Sequence, residues 1–364
     1  MMTTQRKWTI YNYTLGDEKE ICALFEKVFG KPMGASESLR HWQWEYYDNP
    51  TTGIFIKLAK DNERIVGHYA VSPVSVCLDG RNMIAALSHD TMTDPSYAGL
   101  GIFRHTANAV YADQKNEGHG FVYGFPNRNS IRGFKKNLYW QQIMPMPIYI
   151  RPVGVIKNIS KRLFTGTQPS AMMNNKENVF CKLSALLSDE SSMYKIKIEQ
   201  EFGEWADELW QRCCHQHRLW MVRNKTYLNW RYISRPENQY VIVSIWSENS
   251  AVGYLIMTYV TKEFGATLFV LDFLVDLSFQ KAADILIGYI VKLAQKSGAA
   301  FASVLLTPGS KYRKLFRRHL FLPLPEMLFP QPLYFGARCF DAALNDVVFD
   351  PGSWSLSWGD TDVL

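Results

Sequence analysis

The stretch DPSYAGLGIFRHTANAVYADQ, from Asp94 to Gln114, places two glycines directly before an apolar run with helical spacing. A Gly-x-Gly turn between a strand and a helix leaves backbone N–H groups unpaired at the positive end of the helix dipole. Such turns are more often ordinary turns than ligand sites. Because glycine lets phosphates approach the backbone closely, the turn at Gly99 and Gly101 is nevertheless a candidate pyrophosphate site.

The segments around this turn predict an α+β domain. Three β-rich runs precede it, at 54–60, 64–76 and 82–93, and a strand at 120–125 follows the helix. In a Rossmann fold the first strand of the unit would lead directly into the glycine turn. We therefore expect a mixed, mostly antiparallel sheet flanked by helices.

The pattern occurs twice along the chain. The tripeptide at 44–46, Trp-Glu-Tyr, recurs as Trp-Arg-Tyr at 230–232, and a proline and a glycine recur at the same offset of 186 positions. The order of predicted elements agrees as well, which indicates two copies of one fold. We expect four segments: an N-terminal domain at 1–151, a connector at 152–195, a degenerate second copy at 196–345 and a C-terminal tail at 346–364.

Composition restricts the class of protein. The 364 residues are 47% hydrophobic and 20% charged, as in soluble globular chains. The net charge is +6, but the basic residues are spread along the chain and form no run, so no nucleic acid partner is expected. No segment has 18 uninterrupted apolar residues, so no membrane span is expected. Six scattered cysteines do not indicate a disulfide framework, and a cytoplasmic location fits best.

Four potential metal ligands lie within one segment, Cys213-Cys214-His215-Gln216-His217. Adjacent cysteines on a helix point about 100° apart, and no second ligand pair follows at structural-zinc spacing. No metal is therefore expected. The sequence also shows no recognisable catalytic triad with a nucleophile.

Residues 93–103 resemble the acetyl-CoA motif of the GNAT superfamily of N-acyltransferases, in which Pro precedes Tyr-Arg-Gly-Lys-Gly-Ile. The segment from Tyr123 to Trp140 is similar to the second landmark of that superfamily, an Asn followed by a helix and a Leu-Gly-Trp/Phe end. The resemblance covers 8–150 well, and the repeat extends it to about 340. Two-copy chains that close with a segment like 354–362 resemble those of bacterial surface-polysaccharide gene clusters.

The resemblance implies an acyl-CoA site. Pantetheine would lie between two splayed strands, the pyrophosphate would bind backbone N–H groups of the glycine turn, and an asparagine would contact the pantetheine arm. The cofactor-binding residues implied are Thr91, Met92, Thr93, Gly99, Leu100, Gly101, Ile102, Arg104, Asn127 and Ser130. Ala98 stands where an arginine is usual, so the phosphates would rest on backbone donors and on Arg104 or Arg128.

Direct attack of an amine on a thioester needs a base for the ammonium proton and a donor for the thiolate. His89 and Asp90 are the candidate bases, and strand alternation predicts that only one of them faces the groove. Phe134 stands where many family members have the tyrosine that protonates the leaving thiolate. Tyr123, Tyr139 or water would take that role here.

The second copy has no glycine at the equivalent turn, 275–281, so only the first copy is expected to hold CoA. The second copy would then close a substrate groove against the first. Its Trp230, Arg231 and Tyr232, like Trp44 and Tyr46, either line that groove or pack a helix on the sheet.

The sequence thus predicts a cytoplasmic N-acyltransferase, in the simplest case an N-acetyltransferase. It would use acetyl-CoA or another acyl-CoA, and its acceptor would be a primary amine such as an amino-sugar or nucleotide-sugar precursor of a surface glycan. Two alternatives remain open. One is an aminoacyl transferase of the peptidoglycan-bridge type, against which the missing basic arm counts. The other is a non-catalytic binding module on the same scaffold.

Overall fold

The structure is a computed structural model that describes six stretches of the chain: 7–30, 35–153, 193–236, 240–262, 265–328 and 332–361. Most of the expected connector, 154–192, lies outside the described residues. No helix among the described residues is long and apolar enough to cross a membrane.

The first sheet begins with a meander of long strands and continues through the predicted glycine turn. Its strands in the first half of the chain are β1 (Thr9–Asn12), β2 (Phe55–Asp61), β3 (Arg64–Leu78), β4 (Arg81–Thr93), β5 (Phe121–Gly124) and β6 (Gln141–Pro145). Neighbours are antiparallel except for β4 and β5, which run parallel. The helices are α1 (Glu18–Phe29), α2 (Ala35–Trp42) with a π-helical turn at Gln43–Tyr47, α3 (Ile102–Asn116) and α4 (Ile131–Leu138).

The second sheet repeats this arrangement. Its strands are β7 (Ile148–Pro152), β8 (Tyr194–Glu199), β10 (Tyr240–Ser247), β11 (Ser250–Lys262), β12 (Gly265–Val275), β13 (Phe301–Leu305) and β14 (Leu322–Pro323). The parallel pair is again the fourth, β12 with β13. The helices of this half are α5 (Glu204–Cys213), α6 (Lys225–Leu228) with a π-helical turn at Asn229–Ser234, α7 (Gln280–Lys296), α8 (Arg313–Arg318) and α9 (Asn345–Val348).

The repeated glycines occupy the same register in both sheets. Gly67 pairs with Thr93 and Gly253 pairs with Val275. A Cβ on Gly67 would overlap the side chain of Ile102, and one on Gly253 would lie 2.7 Å from a methyl of Val275. The prediction of mixed, mostly antiparallel sheets flanked by helices is confirmed, and the shared strand order is consistent with tandem copies.

The two halves exchange strands, which the sequence did not reveal. β7 precedes the expected boundary at 151/152, but it pairs with β13 in the second sheet. A strand near the other end of the chain, β15 (Tyr334–Cys339), inserts between β5 and β6 of the first sheet. A short strand, β9 (Leu219–Met221), also pairs with β3. Each sheet is therefore completed by the other half, and the expected boundary does not separate the sheets.

The C-terminal segment is packed between the halves. Trp354 is fully buried against Phe121, Tyr123 and Phe335, and its indole N–H donates to the Val348 carbonyl at 2.9 Å. Deleting such a buried side chain typically costs about 3–5 kcal/mol. Residues 353–361, which the sequence suggested belong to a tail, are therefore part of the core.

Candidate active site

A cavity of about 220 Å³ lies between the two halves. The first half contributes residues of α1, of the π-helical turn and of strands β3, β4 and β5. The second half contributes the turn after α6 and the C-terminal segment. Its polar lining consists of His41, Glu45, Ser72, His89, Asp90, Tyr123, Tyr227, Arg231, Arg235, Asp360 and Thr361.

Both candidate bases line this cavity, so the expectation that only one could do so is wrong. Strand β4 is irregular at Asp90, where φ is +48°, and the register with β3 shifts between His68 and Ala70. The Asp90 carbonyl oxygen accepts a hydrogen bond from His68 Nδ1 at 2.7 Å. A bulge adds residues to one strand and resets its alternation, which brings His89 and Asp90 to one site.

His89 is held by polar groups on both ring nitrogens. Its side chain is 2% exposed, and its Nδ1 lies 3.3 Å from Glu45 Oε1 and 3.5 Å from Asp90 Oδ2. The Nε2 atom is 2.7 Å from Ser72 Oγ, and the ring stacks on Tyr46 with centroids 5.3 Å apart. We assign the proton of the neutral ring to Nδ1, because this nitrogen faces two carboxylates. The Nε2 lone pair then accepts the Ser72 hydroxyl proton.

The pKa of Asp90 is lowered by its neighbours. Burial acts to raise the pKa of Asp90, but the hydrogen bond and charge of His89, with the Tyr46 hydroxyl, outweigh burial and lower it to about 2. Tyr46 donates to Asp90 Oδ2 at 3.1 Å. Asp90 is therefore ionised at neutral pH and stabilises a protonated His89 rather than accepting the substrate proton itself.

Sequence reasoning missed several polar residues of this site, among them Glu45, Ser72 and His41. Glu45 was noted only as part of the repeated tripeptide, and Ser72 and His41 carried no motif. His41 Nε2 lies 3.7 Å from Glu45 Oε2, and burial with the charge of Arg235 lowers the pKa of His41 to about 4. His41 is therefore neutral at pH 7 and a weaker base than an ordinary histidine.

Of the candidate acids, Tyr123 is the one in the cavity. It is buried on β5, packs against Phe125 and Phe335, and lines the cavity wall. Tyr139 follows the end of α4 with 72% of its surface exposed, and it does not line the cavity. Phe134 packs in the core against Trp140, with ring centroids 4.6 Å apart.

The strands that would enclose pantetheine separate beside the cavity. β4 and β5 pair only at Ala86 with Val122 and at Leu87 with Tyr123. Beyond these pairs β4 continues to Thr93 with β3 as its partner. Met92 is buried and lines the cavity, and Thr91 and Thr93 are half-buried.

The glycine turn has the backbone conformation that glycine permits. Gly99 has φ of +78°, and Gly101, at the N-terminus of α3, has φ of +80°. A Cβ at Gly99 would meet no heavy atom of the described chain within 4 Å, so the space beside it is open. The first N–H groups of α3, from Ile102 onward, have no acceptor within the helix. The Leu100 N–H already donates to the Tyr97 carbonyl at 3.3 Å.

The side chain of Asp94 holds the glycine turn in place. Its carboxylate is fully buried, accepts from the backbone N–H and hydroxyl of Ser96 at 3.0 and 2.7 Å, and binds Lys27 at 2.7 Å. Arg64 also contacts the same carboxylate. Burial acts to raise the pKa of Asp94, but these partners outweigh it and lower the pKa to about 2. The turn is therefore held by charge as well as by backbone conformation.

Asn127 and Ser130 start α4. The Asn127 side-chain oxygen accepts from the backbone N–H groups of Asn129 and Ser130 at 2.9 and 3.1 Å. The two residues thus have a structural role, and their contact with pantetheine stays a prediction. Arg104 and Arg128 are exposed.

The second sheet contains a closed counterpart of the His89 site. Asp272 lies three residues before Val275, as Asp90 lies three before Thr93, and Tyr232 donates to Asp272 at 3.2 Å as Tyr46 does to Asp90. Here, however, the buried Arg223 fills the space.

Arg223 Nε lies 2.7 Å from Asp272, and Arg223 Nη2 contacts both oxygens of Asp360 at 2.6 and 2.8 Å. Gly359 lies so close to the Tyr232 hydroxyl that a Cβ would overlap it. The C-terminal segment therefore occupies the counterpart site.

The glycine-free turn of the second copy is also occupied by the protein itself. Gln216 Oε1 accepts from the Leu277 N–H at 2.7 Å, and Asp276 Oδ1 accepts from the Ser278 N–H at 3.0 Å. The contact between Asp276 and Ser278 matches the one between Asp94 and Ser96 in the first copy.

Within the described stretches, one group of three potential metal ligands has its atoms within 4.8 Å of one another: Glu45, His89 and Asp90. The segment from Cys213 to His217 forms no such group there. Its His217 is buried, with Nδ1 3.4 Å from the Gly309 carbonyl, and its His215 packs against Gly80.

Comparison with known proteins identifies the scaffold. Residues 9–136 match the family model of the acetyltransferase (GNAT) domain. The match confirms the prediction of an enzyme of the N-acyltransferase class, whose co-substrate is an acyl-CoA. A search of curated proteins found no match.

Solved structures share the fold over nearly the whole chain. A GCN5-related N-acetyltransferase from Anabaena variabilis superposes with a TM-score of 0.65 at 10% identity, over 94% of this chain and 75% of that one. A probable N-acyltransferase from Enterococcus faecalis gives 0.62 at 14% identity, over 91% and 72%. The N-myristoyltransferase of Saccharomyces cerevisiae with bound myristoyl-CoA gives 0.55 at 11% identity, over 92% and 83%.

Proposed function

We propose that this protein transfers the acyl group of an acyl-CoA, in the simplest case acetyl-CoA, to a primary amine bound in the cavity between its halves. The observation that carries the proposal is the His89 cluster, which lies where β4 and β5 separate and which faces the cavity together with Ser72. This cluster combines a titratable base with two acidic neighbours.

The donor would enter along the gap between β4 and β5. Its pyrophosphate would bind the N-terminus of α3 through the N–H groups of Gly101 and Ile102, beside the open space at Gly99. Leu100 would contribute its side chain but not its N–H group, which the turn already uses. The second copy would bind no donor, because its equivalent turn, 275–281, has no glycine.

The amine would be activated through Ser72 and His89. The ammonium loses a proton to the Ser72 hydroxyl, which passes its own proton to His89 Nε2 at 2.7 Å. The amine nitrogen then forms a bond with the thioester carbon, the carbon–sulfur bond breaks, and the nitrogen releases its second proton, which replaces the proton that Tyr123 or water gives to the thiolate. Glu45 and Asp90 stabilise the positive charge on His89 during these steps, and Tyr123 or water protonates the thiolate.

The size of the cavity limits the acceptor. Its volume of about 220 Å³ is below the roughly 300–1,000 Å³ of common ligand pockets. It suits a small amine, such as an amino sugar, or the amino-sugar end of a larger precursor. A role in surface-glycan synthesis remains part of this proposal, as does a cytoplasmic location.

Calorimetric titration with acetyl-CoA tests the donor site. Gly99→Trp should abolish micromolar binding, because the indole would fill the space of the pyrophosphate. Gly118→Trp is the matched control, since Gly118 has the same φ of +78° and open surroundings at the far end of α3. Equal affinities in the two variants, or absence of binding of any short acyl-CoA to the wild type, would reject the donor site.

Turnover on a panel of small amines tests the chemistry. His89→Gln should lower kcat by roughly 10²- to 10⁴-fold. The exposed His215, outside the cavity, provides the control His215→Gln. Tight binding of acetyl-CoA without turnover of any amine would favour a non-catalytic binding module instead.

A further inference from the structure

The second half contributes a buried positive charge to the cavity. Arg231 lies in the π-helical turn after α6, is 6% exposed, and lines the cavity. Its Nε donates to the Gly359 carbonyl at 3.0 Å and its Nη2 to the Thr361 carbonyl at 3.3 Å. The buried Nη1 has no hydrogen-bond partner among the described residues. An unsatisfied buried donor on a charged group is costly unless a ligand completes it.

Arg231 also lacks a counter-ion in the described part of the chain, where no carboxylate lies within 4.0 Å of its guanidinium. Buried arginines usually pair with carboxylates. Arg223, in the same half, does so, because it binds the carboxylates of both Asp272 and Asp360. Backbone carbonyls supply only partial negative charge. A buried guanidinium without a carboxylate partner therefore favours an anionic ligand.

A second arginine lines the cavity beside the first. The guanidinium carbons of Arg235 and Arg231 lie 5.2 and 5.9 Å from the ring of Trp44. Burial and the charge of Arg231 lower the pKa of Arg235, although Glu45 and Tyr240 act in the opposite direction. An anion between two such cations would remove their repulsion.

Three carboxylates also line the cavity: those of Glu45 and Asp90 belong to the first half, and that of Asp360, which binds Arg223, belongs to the C-terminal segment. Glu45 and Asp90 lie beside His89, and Glu45 also acts electrostatically on Arg235. The cavity thus has a carboxylate wall for an ammonium group and an arginine wall for an anion. Both walls line one cavity of about 220 Å³.

We propose that Arg231, with Arg235, forms an anion subsite, and that the acceptor is a small amine that also carries a carboxylate or a phosphate group. This inference rests on the proposed function for the identity of the reacting amine. The amine nitrogen faces Ser72 and His89, and the anion completes the hydrogen bonds of the Arg231 guanidinium.

Paired acceptors test the subsite at fixed acetyl-CoA concentration. Glucosamine 6-phosphate is compared with glucosamine, and β-alanine with β-alanine amide, so that the two pairs distinguish phosphate from carboxylate. In at least one pair, the anionic member should have a kcat/KM roughly 10- to 100-fold higher, as expected for charged hydrogen bonds. Arg231→Gln should remove this preference mainly by raising KM, and Arg231→Lys should restore part of it. Equal kcat/KM values within both pairs for the wild type would overturn the proposal.

Arg231 also binds the C-terminal segment, so replacing it could disturb the fold. A second variant therefore tests the subsite without removing these contacts. Arg235→Gln keeps the Arg231 contacts with Gly359 and Thr361 and should still weaken the preference for the anion by several-fold. Both variants should bind acetyl-CoA as the wild type does. A parallel loss of activity on charged and neutral amines, with acetyl-CoA binding intact, would contradict the subsite.

Direct binding separates this inference from the proposed function. Inorganic phosphate is titrated into the full chain without acetyl-CoA, and the wild type should bind it at least 10-fold more tightly than Arg231→Gln. If no amine is acetylated but this difference is found, the anion subsite stands and the transferase proposal fails. If amines are acetylated without anion preference and phosphate affinity is unchanged in the variant, only the subsite fails.

Discussion

Trp44 and Trp230 donate their indole N–H groups to each other's backbone carbonyl oxygens, at 2.8 and 2.9 Å, and their rings stack with centroids 5.0 Å apart. They are 186 positions apart, which is the offset of the sequence repeat. This reciprocity is the signature of a twofold relationship, as in an isologous dimer interface. The halves therefore meet as two subunits of a dimer would, and the two tryptophans pack this interface and also line the cavity.

Substituting either tryptophan by phenylalanine should destabilise the protein by about 1–2 kcal/mol, because it removes one indole hydrogen bond and leaves a carbonyl unpaired. The free energy of unfolding is measured by urea denaturation for both single variants and for Trp44→Phe/Trp230→Phe. The double variant should lose less than the sum of the two singles, because the residues contact each other. Strict additivity would contradict the described pairing.

Asp90→Asn should lower stability in a pH-dependent way. The folded-state pKa of Asp90 lies near 2, below its ordinary value of 3.8, so its ionised form stabilises the fold above pH 4. This contribution, up to about 2 kcal/mol, is lost as the pH falls from 4 through 2. Asparagine tolerates the positive φ at this position, so backbone strain does not confuse the comparison.

Unfolding of wild type and Asp90→Asn is therefore compared by denaturation at pH 6 and at pH 2.5. The difference should be largest at pH 6. Asp346→Asn, at an exposed position, serves as the control. A stability difference that does not change with pH would mean that the carboxylate charge of Asp90 has no part in it.

Arg223→Met should cost about 3–5 kcal/mol, because it leaves Asp272 and Asp360 buried without their cation. Asp360→Asn should cost less, since Arg223 keeps Asp272 as a partner. Arg218→Met is the control, because Arg218 and its partner Asp79 are both exposed and such pairs contribute little. Chemical denaturation orders the three variants, and a larger loss for Asp360→Asn than for Arg223→Met would contradict the expected charge balance.

Gly359→Ala and Gly288→Ala should have opposite effects on thermal unfolding. A Cβ at Gly359 overlaps the Tyr232 hydroxyl, so alanine must displace the C-terminal segment or the tyrosine and lower the Tm. Gly288 lies inside α7 with nothing within 4 Å, so alanine there should raise stability by about 0.5–1 kcal/mol. A neutral Gly359→Ala would show that the segment is not tightly packed in solution.

Much of this architecture follows from local pattern. The strands from Phe55 to Thr93 and the start of α3 at Ile102 match the predicted runs, because period-2 alternation and a glycine turn are local signals. The bulge at Asp90 was missed because alternation assumes a regular strand. Aspartate is enriched at positive φ, so an Asp within a long strand is a weak hint of such a bulge.

The other features that the sequence did not predict depend on contacts between residues far apart in the chain. Nothing near Glu45 or Ser72 indicates that both contact His89, since the contacts depend on how α2 and β3 pack. The exchange of β7 and β15 depends on pairing between strands that are far apart in the sequence. The aromatic segment around Trp354 resembled a tail because no secondary-structure period marks it.

The exchanged strands have a consequence for biosynthesis. The edge of β5 is exposed on the ribosome until β15 has been synthesised, because β15 supplies its partner residues from Tyr334 to Cys339. At about 5–20 residues per second, this wait lasts roughly 10–40 seconds. Neither half can finish folding first, so the nascent chain carries an unpaired sheet edge that is open to chaperones or to aggregation until β15 has left the ribosome.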